Sequence, residues 1–571
     1  MSFYGMPVSD RHYPINRLKP KPAKILTTFD AGVLVPLWVK ECVPGDRRTV
    51  VPAFSLRSQT PLHPVFDDAY MDLFVFFCPA RHQFDQFVNE WGELDGDHYW
   101  VDTTDYLEPA VVSGENGFLP YSVADYFGLP LGVAGLEANA IPFRAYVDIW
   151  NTYFRDKNTM PAAARPTDDQ DVTSPTTLAS DNPWLTAYKG GGLLPVCRLP
   201  DYFSTCLPGP QRSLNPVTLP LNDVPITQLT GDADGHIMDT AGGVFSPNWW
   251  YEDNPDAKPG RLSVNDSGVP IHSGADDGVH NYPGTWLNGD GDPASNDIKL
   301  YLALKAATSQ IGISVNDLRF SFALQKSLER MTFAATYAET LKAFYGIDIN
   351  DGRMQRPELF GWRRFRLNQN QVAQTSAAGE GTTPLGHLAA YSLTVGMSKP
   401  FNVPAPEHGF LIALCCIRVD HRSYEQGLER MWSRRDRWDH WNNLMRSIGN
   451  QPVFAKEIYA GNATTHVAID PERVFGFQDY GADYRFNYDH NTGEMRVGSA
   501  KSLSSWHYGD FYGSTPSLSS GWMKDNSKDL IDRTLAVTSA DANQFFGAFQ
   551  FGGVLDTEVS LYSIPGYVDH Y

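Results

Sequence analysis

No apolar run in these 571 residues approaches the roughly 18 consecutive positions that a membrane-crossing helix requires, so membrane insertion is not expected. The opening stretch, Met1 to Lys24, is polar, basic and proline-rich and has no apolar centre, which excludes a secretory signal from the reading. Cysteine is scarce. Cys42, Cys78, Cys197, Cys206, Cys415 and Cys416 form no CxxC pair and show no zinc spacing. Several sit in apolar runs such as Phe76-Phe77-Cys78, so buried free thiols in a reducing compartment are expected. No GxxxxGK[ST], HExxH or GxSxG occurs, and Gly190-Gly191-Gly192 lacks the strand and helix of a phosphate loop. Histidines such as His98, His272 and His507 have no ligand-like neighbours. There is no internal repeat, which argues against a fibre or spike.

What is abundant is apolar, aromatic and turn-forming. Hydrophobic residues make up 42% and aromatic residues 13%, enough for a large core, while 48 Gly and 40 Pro favour turns and long connections over helix bundles. The net charge of −20 is unevenly spread. Residues 166–298 hold 5 Lys/Arg against 18 Asp/Glu, whereas residues 1–24 hold five cations against Asp10 alone. An acidic chain can thus still present basic surfaces to a polyanion.

Residues 27–56 predict two strands around a turn, with Phe29 to Val39 and Arg48 to Leu56 flanking Val43-Pro44-Gly45-Asp46. Tyr70 to Cys78 (YMDLFVFFC) predicts a strand buried on both faces. Gln83 to Trp91 places Phe84, Phe87, Val88 and Trp91 at helical spacing, and Pro142 to Phe154 predicts a second short helix with an aromatic face. Periodicity fades over 161–300, which suggests a functional insertion. Ser314-Val-Asn-Asp317 reads as a capping box opening a helix that stops near Gly346. Residues 370–386 read as a loop, Phe410 to Val419 as another buried strand, and the Arg- and Trp-rich stretch through Ser447 as helical. Short strand-like pieces and turns follow from Glu472 to Tyr571. The pattern is a mainly β chain with helical insertions, which suits a jelly roll.

Three basic groups are candidates for phosphate. The first is Arg11, Arg17, Lys19, Lys21 and Lys24; the second is Arg353, Arg356, Arg363, Arg364 and Arg366, interleaved with Phe360, Trp362 and Phe365. The third is Arg430, Arg434, Arg435 and Arg437 among Trp432, Trp438 and Trp441. Cations track a nucleic-acid backbone while aromatic rings stack unpaired bases. The competing reading is an ion-paired face or a subunit contact, favoured for the third group by Glu429 and Asp436. Two acidic knots, Asp232 with Asp234 and Asp290 with Asp292, space oxygen ligands as calcium loops do. Pro293 and Lys299 stand where such a loop needs Gly and Glu, so solvated turns are the reading and calcium the alternative.

Motifs along nearly the whole chain carry a resemblance to a known family. They include Thr28-Phe29-Asp30-Ala31-Gly32, Val43-Pro44-Gly45-Asp46, Met71 to Glu90, Asn139 to Lys157, Asp201 to Gln211 and Val315 to Arg330. Gln355-Arg356-Pro357-Glu358, Val395-Gly396-Met397-Ser398, Tyr424 to Arg434 (YEQGLERMWSR), Lys456 to Tyr459, Val474 to Gln478 and Ser563 to Gly566 continue the series. In number and order they resemble the major capsid proteins of the gokushovirus branch of the Microviridae, small single-stranded DNA bacteriophages. Residues 161–314 and 366–390 match the pattern poorly.

The resemblance implies an eight-stranded antiparallel jelly roll with long insertions containing a few helices. It implies a structural protein and not an enzyme. Sixty copies would form a T=1 icosahedral shell around circular single-stranded DNA, assembled in the bacterial host cytoplasm and ending in the virion. Further partners would be other phage structural or scaffolding proteins and a host surface receptor. The organisation expected is a basic tail (1–24), a first core part (25–214), a surface insertion forming three-fold protrusions (215–298) and a second core part (299–571). No resident cofactor is implied. The alternative from another class is a carbohydrate-binding or carbohydrate-active jelly roll, which abundant Trp and Asp would suit.

Overall fold

The computed structural model describes residues 15–91, 107–178, 182–211, 315–331, 355–373, 388–421, 423–443, 445, 449–462 and 466–559, with short strands between 230 and 281. They belong to two compact units, one of Met1–Arg212 with Glu329–Tyr571, the other of Ser213–Leu328. The second unit holds short antiparallel pairs, such as Leu262–Val264 with Pro270–His272, and all but the last three residues of a helix at Val315–Met331. That helix starts where the capping box predicts; its expected stop at Gly346 lies outside the described residues.

The first unit is built on strands β1 (Asn16–Leu18), β2 (Ala23–Phe29), β3 (Val35–Cys42), β4 (Arg47–Ser58) and β5 (Ala69–Pro79). After a long insertion come β6 (Glu358–Arg366), β7 (Thr394–Met397), β8 (Phe401–Pro404) and β9 (Gly409–Val419). Then follow β10 (Asn450–Phe454), β11 (Val474–Asp479) and β12 (Phe545–Thr557). One sheet places β12 between β4 on one side and β1 with β2 on the other, while β7 and β8 share the far edge of β4. The other runs β6-β5-β9-β3. Every pairing in both sheets is antiparallel. Ten segments thus fill eight strand positions in two facing sheets, and the chain passes from one sheet to the other between β2 and β3, β3 and β4, β4 and β5, β6 and β7, and β8 and β9. This is a jelly roll.

Alternation within the strands explains the packing. In β5, Met71, Leu73, Val75 and Phe77 point into the core between the sheets, with Leu411, Ala413, Cys415 and Ile417 of β9 and Phe54, Phe549 and Phe551 opposite. The intervening Phe74, Phe76 and Cys78, with Ile412, Leu414 and Cys416, point the other way into a second core. That core is supplied by the insertion after β5, chiefly helix α1 (Ile141–Ile149), which runs on into a π-helical turn through Phe154. The two-sided burial expected of YMDLFVFFC is therefore met, because each face of β5 has its own apolar partner. Each fully buried side chain of this size contributes about 1.5–3 kcal/mol.

Helix α1 is tied down at fixed points. Asn139 Oδ1 accepts from the Ile141 amide at 2.8 Å at its start, and Pro142 occupies the first turn. The Tyr146 hydroxyl donates to Leu34 O at 2.8 Å and accepts from the Leu194 amide at 3.0 Å. Arg144, fully buried, donates to Gln83 O and Asp168 O. At the crossing of β6 and β8 only glycine fits: a Cβ on Gly361 would stand 2.5 Å from the Phe401 ring, and the β5–β6 register slips there.

Four local expectations are corrected. Phe29 to Val39 is not one strand, because Gly32 at φ +78° turns the chain from β2 in one sheet to β3 in the other. The helix expected over Gln83–Trp91 shortens to Phe87–Glu90, with Trp91 exposed and stacked on His408 at 4.1 Å. The loop expected over 370–386 begins as a strand, Gln369–Ala373, paired with Leu388–Ser392. Among the described residues, the helix expected through Ser447 is a 3₁₀ turn, Arg430–Ser433, followed by turns and bends. There Asp439 accepts from the amides of Arg435 and Asp436 at 2.8 and 2.9 Å, a local alternative to helical bonding.

Candidate nucleic-acid interface

The basic residues near the start do not form a free tail from Asn16 onward. Arg17 stands in β1, 3.6 Å from Asp556, and Lys24 stands in β2. Lys19 and Lys21, in the short link between them, are exposed. Arg11 lies outside the described residues, as do Arg353 and the calcium candidates Asp232, Asp234, Asp290 and Asp292. Among the described residues no group of three His, Cys, Asp or Glu is placed to hold a metal ion.

The second group divides by strand register. Arg364 sits opposite Asp72 across β5 and β6 and grips it with Nε at 2.8 Å and Nη2 at 2.9 Å. Asp72 also accepts from Arg418 of β9 at 2.7 Å and from the Trp362 indole at 3.2 Å. Burial pushes the Asp72 carboxyl up, but the two guanidiniums outweigh it and hold it below the ordinary carboxylate range. Arg366 is paired with Asp68. Arg363 instead lies over the Phe401 ring at 5.1 Å, and Arg356 is exposed. The structure thus brings Arg363, Arg364 and Arg366 onto one strand but commits two of them to carboxylates.

Half of the third group is turned inward. Arg430 reaches Glu457 at 3.6 Å and donates to Pro452 O at 3.0 Å; Arg434 pairs with Asp483 and lies over Tyr484 at 4.3 Å. A cavity of about 260 Å³ opens here, lined by Arg430, Arg434 and Lys456 and equally by Asp439, Glu457 and Asp483. Its charges cancel, so it holds no excess positive charge for phosphate. Arg435 and Arg437 remain exposed, with Arg437 over the Trp438 ring at 4.9 Å.

Two buried charge networks carry no signal in the sequence. One is Arg364–Asp72–Arg418. The other joins Arg198, His421, Asp510 and Asp525, drawn from the insertion after β5 and from both ends of the insertion after β9. Arg198 reaches Asp510 at 3.0 Å and Asn526 at 3.0 Å, and His421 bridges Asp510 and Asp525. All four side chains are sealed from solvent. Their carboxylates are therefore placed to hold the insertions together and out of reach of a substrate.

The cysteines are free, and burial raises the thiols, Cys42 and Cys197 to about 11 and Cys416 to about 12. Such thiols are protonated near neutral pH and inert as nucleophiles.

A two-sheet barrel whose connections carry more chain than its strands, and whose buried charges serve to fasten those connections, defines a viral coat protein of the jelly-roll class. The chain belongs to the phage capsid family described as "Capsid protein (F protein)", whose profile matches residues 15–567. It is 32% identical over 548 residues to capsid protein VP1 of Bdellovibrio phage phiMH2K, covering 94% of this chain and 93% of that one. It is 30% identical to capsid protein VP1 of Chlamydia phage 1 and 31% identical to that of Spiroplasma virus 4, in each case over 95% of this chain and 94% of the relative. The gokushovirus resemblance carried by the motifs is borne out, and the role these names assign is structural.

Proposed function

We propose that this capsid protein closes into a T=1 icosahedral shell of sixty copies around a circular single-stranded DNA genome. Assembly takes place in the bacterial host cytoplasm, with other phage structural or scaffolding proteins. The observation that carries the reading is the match to phage capsid proteins over almost the whole chain, strands and insertions alike. A closed shell needs several heterologous contacts on one chain. Exposed apolar side chains spread over separate insertions, such as Leu185, Trp432 and Phe511, supply material for them.

The segment 215–298 forms protrusions at the three-fold axes and meets the host receptor; its acidic, glycine-rich composition is poor core material and suits an exterior. The accessible cations of the first two groups, Arg11, Lys19, Lys21, Lys24, Arg356 and Arg363, face the genome, where contacts are sequence-independent and salt-sensitive. Calcium in the acidic knots of 215–298 is an accessory to the protrusions.

Electron microscopy of the purified protein, alone and with its phage partners, tests the reading. Uniform icosahedral shells with three-fold protrusions are expected. Small oligomers only, with every partner supplied, would overturn it.

A further inference from the structure

We propose that the outward face of the sheet formed by β2, β12, β4 and β7 is a platform on which the packaged single-stranded DNA lies. The proposal rests on the shell reading above and adds the surface that meets the genome.

The two sheets of the barrel differ in what covers them. The outer side of β5 and β9 is buried under α1 and the rest of the insertion. The outer side of the other sheet carries exposed residues along β2, β12, β4 and β7. Strand register arranges them in rows. Thr28, Phe546 and Arg57 make one row; Leu26, Ala548, Ser55 and Val395 the next; Lys24, Gln550, Ala53 and Met397 the third. Further along, Arg17, Asp556 and Arg47 share a row.

The chemistry of this face runs against that of the chain. In a protein of net charge −20, its strand rows gather Arg17, Lys24, Arg47 and Arg57 against one carboxylate, Asp556, while Asp125 of a neighbouring helical turn borders the cavity that Arg57 lines. Arg17 is already beside Asp556; among the described residues no carboxylate pairs with Lys24, Arg47 or Arg57. Between the cations stand apolar groups that an isolated surface would not favour: Leu26 is 73% exposed, Met397 73%, Val395 69% and Phe546 38%. The small side chains of Ala53, Ser55 and Ala548 leave the middle of the sheet open to close approach.

A flat sheet with ring and aliphatic surface at its centre and unpaired cations around it fits a strand of unpaired bases. Bases stack on Phe546 and lie on Leu26 and Met397, while phosphates meet Lys24, Arg47 and Arg57. Beside Leu26, Arg57 and Phe546 the face borders a cavity of about 920 Å³ that Tyr121, Asp125 and Tyr126 also line, room for a splayed base; the phosphate contacts themselves carry no sequence information.

The test is binding of the full-length protein to a fluorescent oligothymidylate between 50 and 200 mM salt, with folding of each variant checked by circular dichroism. Each phosphate contact on a single strand contributes about 0.7 to the slope of log affinity against log salt. Lys24→Ala with Arg57→Ala should therefore flatten the slope by about 1.4. Gln550→Lys, which adds a cation to the third row, should steepen it by about 0.7. Phe546→Ala should weaken binding about tenfold with the slope unchanged. Wild-type binding with slopes and affinities unmoved in all three variants overturns the platform and leaves the shell reading intact. If those same variants also fail to form particles, the occupant of the face is a second copy of the chain. Shells that form from a wild-type protein with no affinity for the oligonucleotide overturn both the platform and the DNA part of the shell reading.

Discussion

His421 donates from Nδ1 to Oδ2 of Asp510 over 3.0 Å, with both side chains sealed from solvent. Its other ring nitrogen donates to Asp525 over 2.7 Å, so the imidazolium is clamped between two carboxylates contributed from beyond residue 500. The chain between β9 and β12 is closed into a loop by this clamp, and Arg198 joins the earlier insertion to it.

The clamp makes stability depend on pH in a stated direction. Burial alone would lower the His421 pKa, but Asp510 and the hydrogen bonds to both aspartates outweigh it and raise the ring to about 9 from an ordinary 6.5. A raised histidine contributes stability that is fully present below pH 6.5 and is lost as pH rises through 9. Thermal unfolding of the wild type should show a falling Tm from pH 7 to 9.5. His421→Gln should be less stable by about 3–5 kcal/mol at pH 6, since it leaves buried carboxylates uncompensated, and the gap should narrow by pH 9.5. An unchanged gap across that range would refute the clamp.

Asp72 should be equally costly to neutralise. Asp72→Asn keeps the shape but leaves Arg364 and Arg418 without their shared carboxylate. A loss of about 3–5 kcal/mol in urea unfolding is expected. A loss under 1 kcal/mol would mean that solvent, and not Asp72, satisfies the two guanidiniums.

Neighbouring arginines on β6 should separate by function. Arg363→Ala removes a cation with no carboxylate partner among the described residues and should lower DNA affinity in a salt-dependent way, with Tm nearly unchanged. Arg364→Ala should lower Tm by several degrees, because it breaks the pair with Asp72. Equal effects of the two on both measurements would remove the distinction.

Tyr146→Phe tests how α1 is fastened to the barrel. The change removes one hydroxyl and strands both Leu34 O and the Leu194 amide, each within hydrogen-bond reach of it. About 1–3 kcal/mol should be lost, read by denaturant unfolding, since a buried backbone group is left without a partner.

The barrel was legible where burial wrote an unbroken apolar run. Met71 to Cys78 and Phe410 to Val419 announce two-sided strands, because every position has an apolar neighbour in one of two cores. Pro142 to Phe154 announces its helix by spacing. The stretch from Arg430 to Arg437 misled, because helical spacing of Arg and Trp says nothing of Glu457 and Asp483, which draw two of the arginines inward. The His421 clamp was illegible, since its aspartates lie 89 and 104 residues away and no local pattern joins them. Lys24 and Arg17 read as a tail because a short edge strand with alternating charge has no apolar run to mark it.

Strand β12 lies between β2 and β4, yet several hundred residues separate it from either of them along the chain. At about 5–20 residues per second, a ribosome that has finished β4 needs on the order of half a minute to a minute and a half to deliver β12. Until β12 arrives, β2 and β4 each keep an open edge and their sheet stays unclosed, whatever the rest of the chain has formed. Polymerisation is thereby withheld from chains still being made, and the order of synthesis itself guards against shells built from incomplete subunits.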